Sequence, residues 1–446
     1  DLADLTDEGI GVSERKALEN SWKVGDTVPV GWDAAAAGFT LEGRDIANLG
    51  SVLADDPLRA VKSLPGVTAN NDFSSEFSVR GAPFDRVGLY FDGILLHSPF
   101  HTTDGVAANG SLSMFSGDLT EEMTLFQGAW PVRYGDRTAG VVDVATRSGT
   151  RDGLRGSVTA GVSATDGVIE GPLGKDKRGS WVIAARKSYL QYILNRIDFG
   201  DQPPFAFAFT DAQGRIDYEL TPAHAISISV LDGTSAVDRS RFRDELSPTT
   251  VMTSAFHSTV INVGSRYLTP RLLLRSHAAF ARDRGTVGNR DALELSRTRY
   301  LEGVLRSDAT VPLGRHTIDT GAQLRRMSSV GDSTSVLYAP ALTAVSDRYD
   351  ARAWQPGLYG QDTLKAGRVK LAAGLRYDRH SLSGTSVTSP YASIAFAFAS
   401  ASSSLLASRV DSPPCRSRAC SPTRLRMLFP LQSRRFLARC CSALPE

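Results

Sequence analysis

No stretch of this sequence approaches the ~18–20 unbroken apolar residues that a spanning helix needs. A helical membrane protein is thereby excluded, whereas a transmembrane β-barrel carries no such run and stays open. Cysteine is absent from residues 1–398, and all four (Cys415, Cys420, Cys440, Cys441) lie near the end of the chain. Such a chain crosses an oxidising compartment without needing disulfides. Residue 1 is Asp rather than Met, and no basic-then-apolar leader follows it, so a removed targeting segment or a fragment N-terminus is expected. Catalytic signatures are missing too, since neither G-x-S-x-G nor H-E-x-x-H occurs. Gly171-Pro172-Leu173-Gly174-Lys175 lacks the first glycine of a phosphate loop and is followed by Asp176 instead of a hydroxyl residue. Gly9-Ile10-Gly11 has no third glycine and no preceding strand, which removes a dinucleotide loop. His97 and His101 lack a third ligand of obvious spacing, and the cysteines do not have zinc-site spacing. The expectation is a protein that is not an enzyme and has no cofactor and no metal.

What is present is an ordinary folded composition, with 41% hydrophobic and 22% charged residues among 446. Collagen, coiled coil and a mostly disordered chain are excluded on that ground. The net charge of +2 hides two different polymers. Residues 399–446 hold eight Arg, no Lys, one Asp and one Glu, a net +6, and the rest of the chain holds 42 basic against 46 acidic residues, a net −4. Arginines before the tail are dispersed along strands rather than gathered in one stripe, so nucleic-acid binding is not expected.

Four regions follow from the pattern. Residues 1–38 are polar and mixed, and read as a linker or the remnant of an upstream domain. Residues 39–150 read as a compact α+β domain. Asp56-Pro57 predicts a helix start, Leu58, Val61 and Leu64 recur about every three residues, and Pro65-Gly66 stops the helix. Strands are predicted at Phe77–Arg80, Val87–Phe91, Glu122–Phe126 and Val141–Thr146, with Asp92-Gly93 as a tight turn.

From about Arg155 the period becomes two. Ile216, Tyr218 and Leu220 alternate with Arg215, Asp217 and Glu219; Leu371, Ala373, Leu375 and Tyr377 alternate with Lys370, Gly374, Arg376 and Asp378. Each is a strand with one apolar and one polar face. Short turns are expected at Thr221-Pro222-Ala223-His224, Thr269-Pro270, Pro312-Leu313-Gly314 and Lys365-Ala366-Gly367. Long polar loops are expected near 233–256, 283–294 and 328–352. Alternation in single strands also occurs in soluble sandwiches and propellers, but alternating short and long connections favour an outer-membrane barrel. No blade-like repeat is present. About twelve strands are expected over 151–398.

Residues 41–147 resemble the plug domain of TonB-dependent outer-membrane receptors. The motifs are DDPLRAVKSLPGV (55–67), FSVRG (77–81), LYFDGILLHSPFH (89–101) and LFQGAWPVRYGDRTAGVVDVATRSG (125–149), in the family's order. EGPLG (170–174) and SWVIAARKSY (180–189) look like its early barrel strands. The closest subgroup is the one often preceded by a carboxypeptidase-regulatory-like domain, which is not evident here. The resemblance implies an α+β plug followed by an antiparallel transmembrane β-barrel, incomplete here with roughly half of the ~22 strands of such transporters. It implies an outer-membrane receptor of a Gram-negative bacterium that binds an extracellular small ligand. Ferric siderophore, cobalamin, saccharide and peptide are all open. TonB would pull a short N-terminal segment by strand addition, and outer-membrane lipid would surround the barrel. Asp26-Thr27-Val28-Pro29-Val30 resembles the family's D-T-x-x-V box, although Pro29 lacks a backbone donor.

Pro65, Gly66, Arg80, Gly81, Asp92, Gly93, Gly128, Tyr134, Gly135, Asp136 and Arg137 carry the plug motifs. Their expected role is architectural. Arg80 and Arg137 are expected to pair with acidic lumen-facing residues, and Gly81, Gly93, Gly128 and Gly135 to supply turns that a Cβ forbids. After Phe398 alternation vanishes, and the tail 399–446 is expected to be read in a shifted frame or to be a basic disordered tail. Two alternatives accompany the receptor reading: a truncated non-functional product retaining only a folded plug, and a soluble periplasmic β-rich binding protein.

Overall fold

A computed structural model of the chain describes residues 38–43, 45–46, 56–69, 75–101, 112–128, 130–161, 163–189, 196, 206–239, 250–291, 293–337 and 343–396. The Asp26–Val30 segment, nearly all of the N-terminal linker, the four cysteines and the basic tail lie outside them.

The first part of the chain builds a small mixed sheet. Its strands, with those of two two-stranded accessories, are β1 (Gly38–Glu42), β2 (Val67–Thr68), β3 (Ser78–Val79), β4 (Val87–Phe91), β5 (Ile94–Leu95), β6 (Phe100–His101), β7 (Leu112–Ser113), β8 (Thr120–Phe126) and β9 (Gly140–Thr146). Sheet order is β1-β8-β9-β4-β5, with β4 and β9 parallel and the other pairs antiparallel. All five residues of β4 are buried. The helix expected after Asp56 is a 3-10 helix over Pro57–Ser63. Its Asp56 cap accepts from the Leu58 amide at 3.0 Å, as the Asp-Pro start predicts.

Asp56 does more than cap. It is fully buried and also accepts from the Ser113 amide at 2.9 Å and from the hydroxyls of Ser75 and Ser113. One carboxylate thus ties the 3-10 helix to β7 and to the segment before β3. Apolar packing closes around it through Leu58, Val61, Phe77, Phe91, Phe115, Met123, Leu125, Val142 and Val144.

The second part is a single sheet of twelve antiparallel strands in sequence order. They are β10 (Arg155–Ala160), β11 (Ala164–Leu173), β12 (Gly179–Ser188), β13 (Ala206–Thr221), β14 (His224–Asp238), β15 (Thr253–Thr269), β16 (Leu272–Gly288), β17 (Glu294–Leu313), β18 (His316–Leu337), β19 (Thr343–Ala366), β20 (Val369–Arg379) and β21 (Ser386–Phe396). At one end β13–β14, β15–β16, β17–β18 and β19–β20 are joined through two residues each, at the four turns the sequence predicts. At the other end the connections are 161–163, 189–205, 239–252, 289–293, 338–342 and 380–385.

Of the long loops expected near 233–256, 283–294 and 328–352, the last is largely strand, the second is about half strand, and the first keeps a connection over 239–252. β14 runs to Asp238, β15 starts at Thr253, and β17, β18 and β19 have 20, 22 and 24 residues. Spanning a bilayer takes only about 9–11 residues of tilted strand. The reason for the difference is physical. A ladder is held by backbone hydrogen bonds and continues where both faces are wet, but the apolar alternation that reveals a strand in sequence ends with the apolar solvent.

One face of this sheet packs on the small domain. Leu231 and Val260 join its core, Val168, Val182 and Ala184 surround Leu119, and Ala164 and Phe209 pack on Leu112. The opposite face exposes Ile183, Ile228, Ile261, Val263, Phe280, Leu305, Leu358, Leu371, Leu375 and Tyr377. Rows of large apolar side chains on one face are the surface of a sheet that meets an apolar solvent.

Asp56→Ala should destabilise the folded chain by about 3 kcal/mol or more, because several buried donors lose their acceptor. Asp56→Asn should cost less, since one carbonyl oxygen remains. Thermal unfolding of the detergent-solubilised chain reads both, and equal stability of D56A and the parent would refute the hub.

Candidate functional site: the interface between plug and sheet

Strand residues two apart share a face, so R-x-D places a guanidinium and a carboxylate side by side. It occurs in the inward phase of three strands. On β13 Arg215 Nε and Nη2 donate to Asp217 at 2.8 and 2.9 Å. On β20 Arg376 does the same with Asp378 at 2.7 and 2.8 Å. On β17 Arg306 Nε donates to Asp308 at 2.7 Å. Two further arginines find a carboxylate on the neighbouring strand: Arg186 on β12 with Asp211 at 2.6 Å, and Arg325 on β18 with Glu302 at 2.5 Å. Each pair leaves N–H groups over, and all five arginines spend them on the small domain.

Arg186 Nη2 donates to the Ser113 carbonyl at 2.5 Å. Arg215 Nη1 donates to Thr146 Oγ1 at 2.9 Å and lies 3.3 Å from Asp92. Arg306 donates to the carbonyls of Gly93 at 3.0 Å and Arg133 at 3.2 Å. Arg325 Nη1 donates to Asp136 at 2.9 Å. Arg376 Nη1 reaches the carbonyls of Val132 and Arg133 at 3.3 and 3.2 Å. Four of these guanidiniums, Arg186, Arg306, Arg325 and Arg376, are almost fully buried. Charge-assisted bonds of this kind are the strong ones, and losing one partner leaves a costly lone charge.

Two clusters of motif residues emerge. Asp92, Gly93, Gly135 and Asp136 meet the sheet, whereas the partners found for Tyr134 lie inside the small domain. Asp92 and Gly93 both have positive φ, 45° and 82°, the geometry of a type I′ turn. Asp92 accepts from Thr146 of β9 and, at 2.7 Å, from Ser229 of β14, while its carbonyl accepts from Asn262 of β15 at 3.1 Å. Gly135 has no special φ; a Cβ there would overlap the Arg376 guanidinium, so the glycine serves close approach. Tyr134 donates to Asp143, and Gly135 pairs with the Tyr90 hydroxyl at 3.2 Å. Burial pushes the Tyr134 phenol well above its ordinary value against the pull of Arg133, and the Asp143 carboxylate adds to the shift. Tyr134 is therefore a neutral donor at physiological pH.

Pro65, Gly66, Arg80, Gly81 and Gly128 form the second cluster, and the partners found for them lie inside the small domain. The Pro65 carbonyl accepts from Gln127 at 2.6 Å, the Arg80 amide donates to the Gly66 carbonyl at 2.8 Å, and Gly128 lies beside the Arg80 side chain.

The expected pairing of Arg80 and Arg137 with acidic groups of the sheet does not hold. Arg80 is exposed. Arg137 lies 3.4 Å from its neighbour Asp136 and donates to the Val87 carbonyl. At this part of the interface the sheet supplies the guanidiniums and the small domain supplies carbonyls and carboxylates; the plug arginine that does meet an acidic group of the sheet is Arg147, 2.6 Å from Glu170 of β11. Long arginines can reach inward from a wall, whereas carbonyls freed by tight turns are what a small, turn-rich domain offers. The repeated R-x-D was the signal available in the sequence for three of the five.

His97 and His101 do not converge. His97 bonds Asp283 at 3.0 Å and stacks on Tyr300, while buried His101 bonds Asp211 at 2.5 Å. Among the described residues no group of three or more His, Cys, Asp or Glu is placed to hold a metal.

Arg376→Ala should cost about 3–5 kcal/mol, the range for breaking a buried pair, and Arg376→Lys should restore only part, since an ammonium cannot form the fork. The local readout is hydrogen exchange of the full chain in detergent, with amides of 132–137 losing protection. Unchanged protection there in R376A would show that the plug turn does not depend on the wall.

Comparison with known proteins agrees with this construction. The TonB-dependent Receptor Plug Domain model matches residues 41–142, and the TonB dependent receptor-like, beta-barrel model matches residues 146–408. No curated protein sequence matches. Among solved structures, the ferric enterobactin receptor PfeA of Pseudomonas aeruginosa aligns with a TM-score of 0.64 at 15% identity, over 82% of this chain and 60% of that one. The siderophore receptor PirA of Acinetobacter baumannii aligns at 0.62 and 15%, over 88% and 61%. The outer membrane transporter YddB of Escherichia coli aligns at 0.60 and 12%, over 80% and 58%. The chain thus spans about 60% of the length of these structures. With a plug, a sheet of successive antiparallel strands joined to it by an arginine wall, and family models covering both parts, the chain belongs to the TonB-dependent receptors.

Proposed function

We propose that this chain carries the plug and a twelve-stranded portion of the barrel of an outer-membrane receptor in a Gram-negative bacterium, which takes up a small extracellular ligand. The proposed division is 39–150 for the plug and 151–398 for the barrel portion, with 1–38 as linker and 399–446 as tail. The observation that carries the reading is the arginine wall. A plug held by discrete ion pairs and carbonyl contacts can move, because water and neighbouring acceptors replace each contact as it breaks. The outer membrane has no ATP supply, so the energy arrives as a mechanical pull.

The proposed handle is Asp26-Thr27-Val28-Pro29-Val30, engaging TonB by strand addition with Pro29 on the unpaired side. Asp92, Gly93, Gly135 and Asp136 are then the plug residues that grip the wall, and Tyr134 braces the turn from within the plug. Pro65, Gly66, Arg80, Gly81, Gly128 and Arg137 keep the plug's own shape. These roles involve no catalysis and no cofactor. The ligand class to test first is a ferric siderophore, because PfeA and PirA are named for such ligands. Cobalamin, a saccharide and a peptide follow. On this reading the two-residue turns face the periplasm and the longer connections face outward.

The apolar outward face argues against a soluble periplasmic binding protein. Given an outer-membrane export leader and expressed in a Gram-negative host, the chain should remain in the envelope and need detergent for extraction. Recovery as a monodisperse species in detergent-free osmotic-shock fluid would overturn the membrane reading.

A further inference from the structure

The outward face changes chemistry along its strands. Strand register aligns Ile228, Val263, Ala278, Leu305 and Leu324 in one apolar row, and Val230, Ile261, Phe280 and Gly303 in the next, which continues to Arg326 and to Trp354, whose ring lies under the Arg326 guanidinium at 5.1 Å. Two rows further toward the longer connections, the aligned residues are Thr234, His257, Arg284 and Arg299. Arg282 lies between, opposite Thr259 and Leu301, and Arg297 lies just beyond.

Arg284 and Arg299 are direct cross-strand partners. Like charges in that position destabilise a sheet. Three other outward arginines are neutralised, Arg297 by Glu294 at 2.5 Å, Arg348 by Asp332 at 2.6 Å and Arg352 by Asp350 at 3.0 Å, and Arg326 lies over the Trp354 ring. Arg282, Arg284 and Arg299 have no carboxylate partner among the described residues, and Arg282 Nε is buried without a hydrogen-bond acceptor. The nearest outward carboxylate in the register, Asp232, is engaged by His257 at 2.9 Å and Thr259 at 2.6 Å. A groove of about 480 Å³ opens beside the row, lined by Thr234, Ala255, His257, Arg284 and Thr286 among others.

Height decides what meets this patch. Leu274 and Arg284 are ten positions apart on the outward face of β16. That is about 33 Å along a strand, or about 25 Å along the membrane normal at a tilt of ~40°, the height of the apolar band of such barrels. Arg284 and Arg299 therefore sit where hydrocarbon gives way to headgroups, on the side of the longer connections.

We infer that Arg282, Arg284 and Arg299, with His257 at their flank, form a docking site for the phosphate groups of an anionic lipid in the outward leaflet, a phosphorylated glycolipid, whose acyl chains lie on the Ile261–Phe280–Leu305 surface. Guanidiniums suit phosphate because they bind it bidentately. A phosphate between Arg284 and Arg299 turns their repulsion into attraction. The acyl surface below explains why a lipid fits better than a soluble anion. The inference rests on the membrane reading above.

The test uses the full chain purified in a nonionic detergent, as parent and as R282Q/R284Q/R299Q, with no plug or R-x-D residue altered. Mixed micelles carry bis-phosphorylated lipid A or its dephosphorylated form, and retained lipid is measured by native mass spectrometry. The parent should retain the phosphorylated lipid about a hundredfold more tightly than the variant, each arginine contributing about fivefold. The dephosphorylated lipid should bind both proteins equally and weakly, and inorganic phosphate should not compete. Equal retention of the phosphorylated lipid by both proteins overturns the site, as does full competition by inorganic phosphate, which would make it a site for a soluble anion. If neither protein enters detergent micelles, the membrane reading fails, and the inference fails with it.

Discussion

A guanidinium on the inner face of the sheet has to be neutralised where it stands, and that requirement organises the receptor. Arg215, Arg306 and Arg376 are neutralised by the aspartate two residues on, Arg186 and Arg325 by the next strand. A carboxylate fills only part of the guanidinium's five donors. The remainder need acceptors, and the plug provides them where its chain turns. Strand carbonyls are consumed by the ladder, so Ser113, Gly93, Val132 and Arg133 present theirs from turns and strand ends. The docked edge of the plug is therefore its most irregular edge. Buried pairs of this sort weigh more in register than in stability, which suits a domain that has to sit in one orientation.

The outer face obeys the opposite constraint. Hydrocarbon accepts no unpaired backbone group, and the ladder from β10 to β21 satisfies each interior strand from both sides. Apolar side chains cover the band, but the strands continue beyond it. β19 has 24 residues, about 80 Å of strand at ~3.3 Å per residue, far more than a bilayer. The charged outward rows near Arg284 and Arg352 mark where the strand leaves the band. One ladder thus meets three environments, and only side-chain chemistry changes between them.

Much of the fold was readable because local chemistry and tertiary role agree. Asp56-Pro57 caps a helix in any context, Asp92-Gly93 makes the same turn in isolation, and the four two-residue turns carry their own Gly or Pro signals. The period-two rows showed the barrel strands, since a face in contact with lipid leaves an apolar record. Where the solvent on both faces was water, that record ended. The outer parts of β14, β15, β18 and β19 then read as loops.

The amino-acid sequence alone determined the order of plug and barrel, the inward and outward phase of the strands and the position of the turns, because each depends on residues close together in the chain. Tertiary structure decided the rest. Arg80 and Arg137 looked like partners for the barrel and are not, whereas Arg376 grips the carbonyls of Val132 and Arg133 from the far side of the sequence. Asp56 looked like a cap and is also an anchor for Ser75 and Ser113. Which donor meets which acceptor across a hundred or more residues depends on strand register and docking, and register exists only once the sheet has formed.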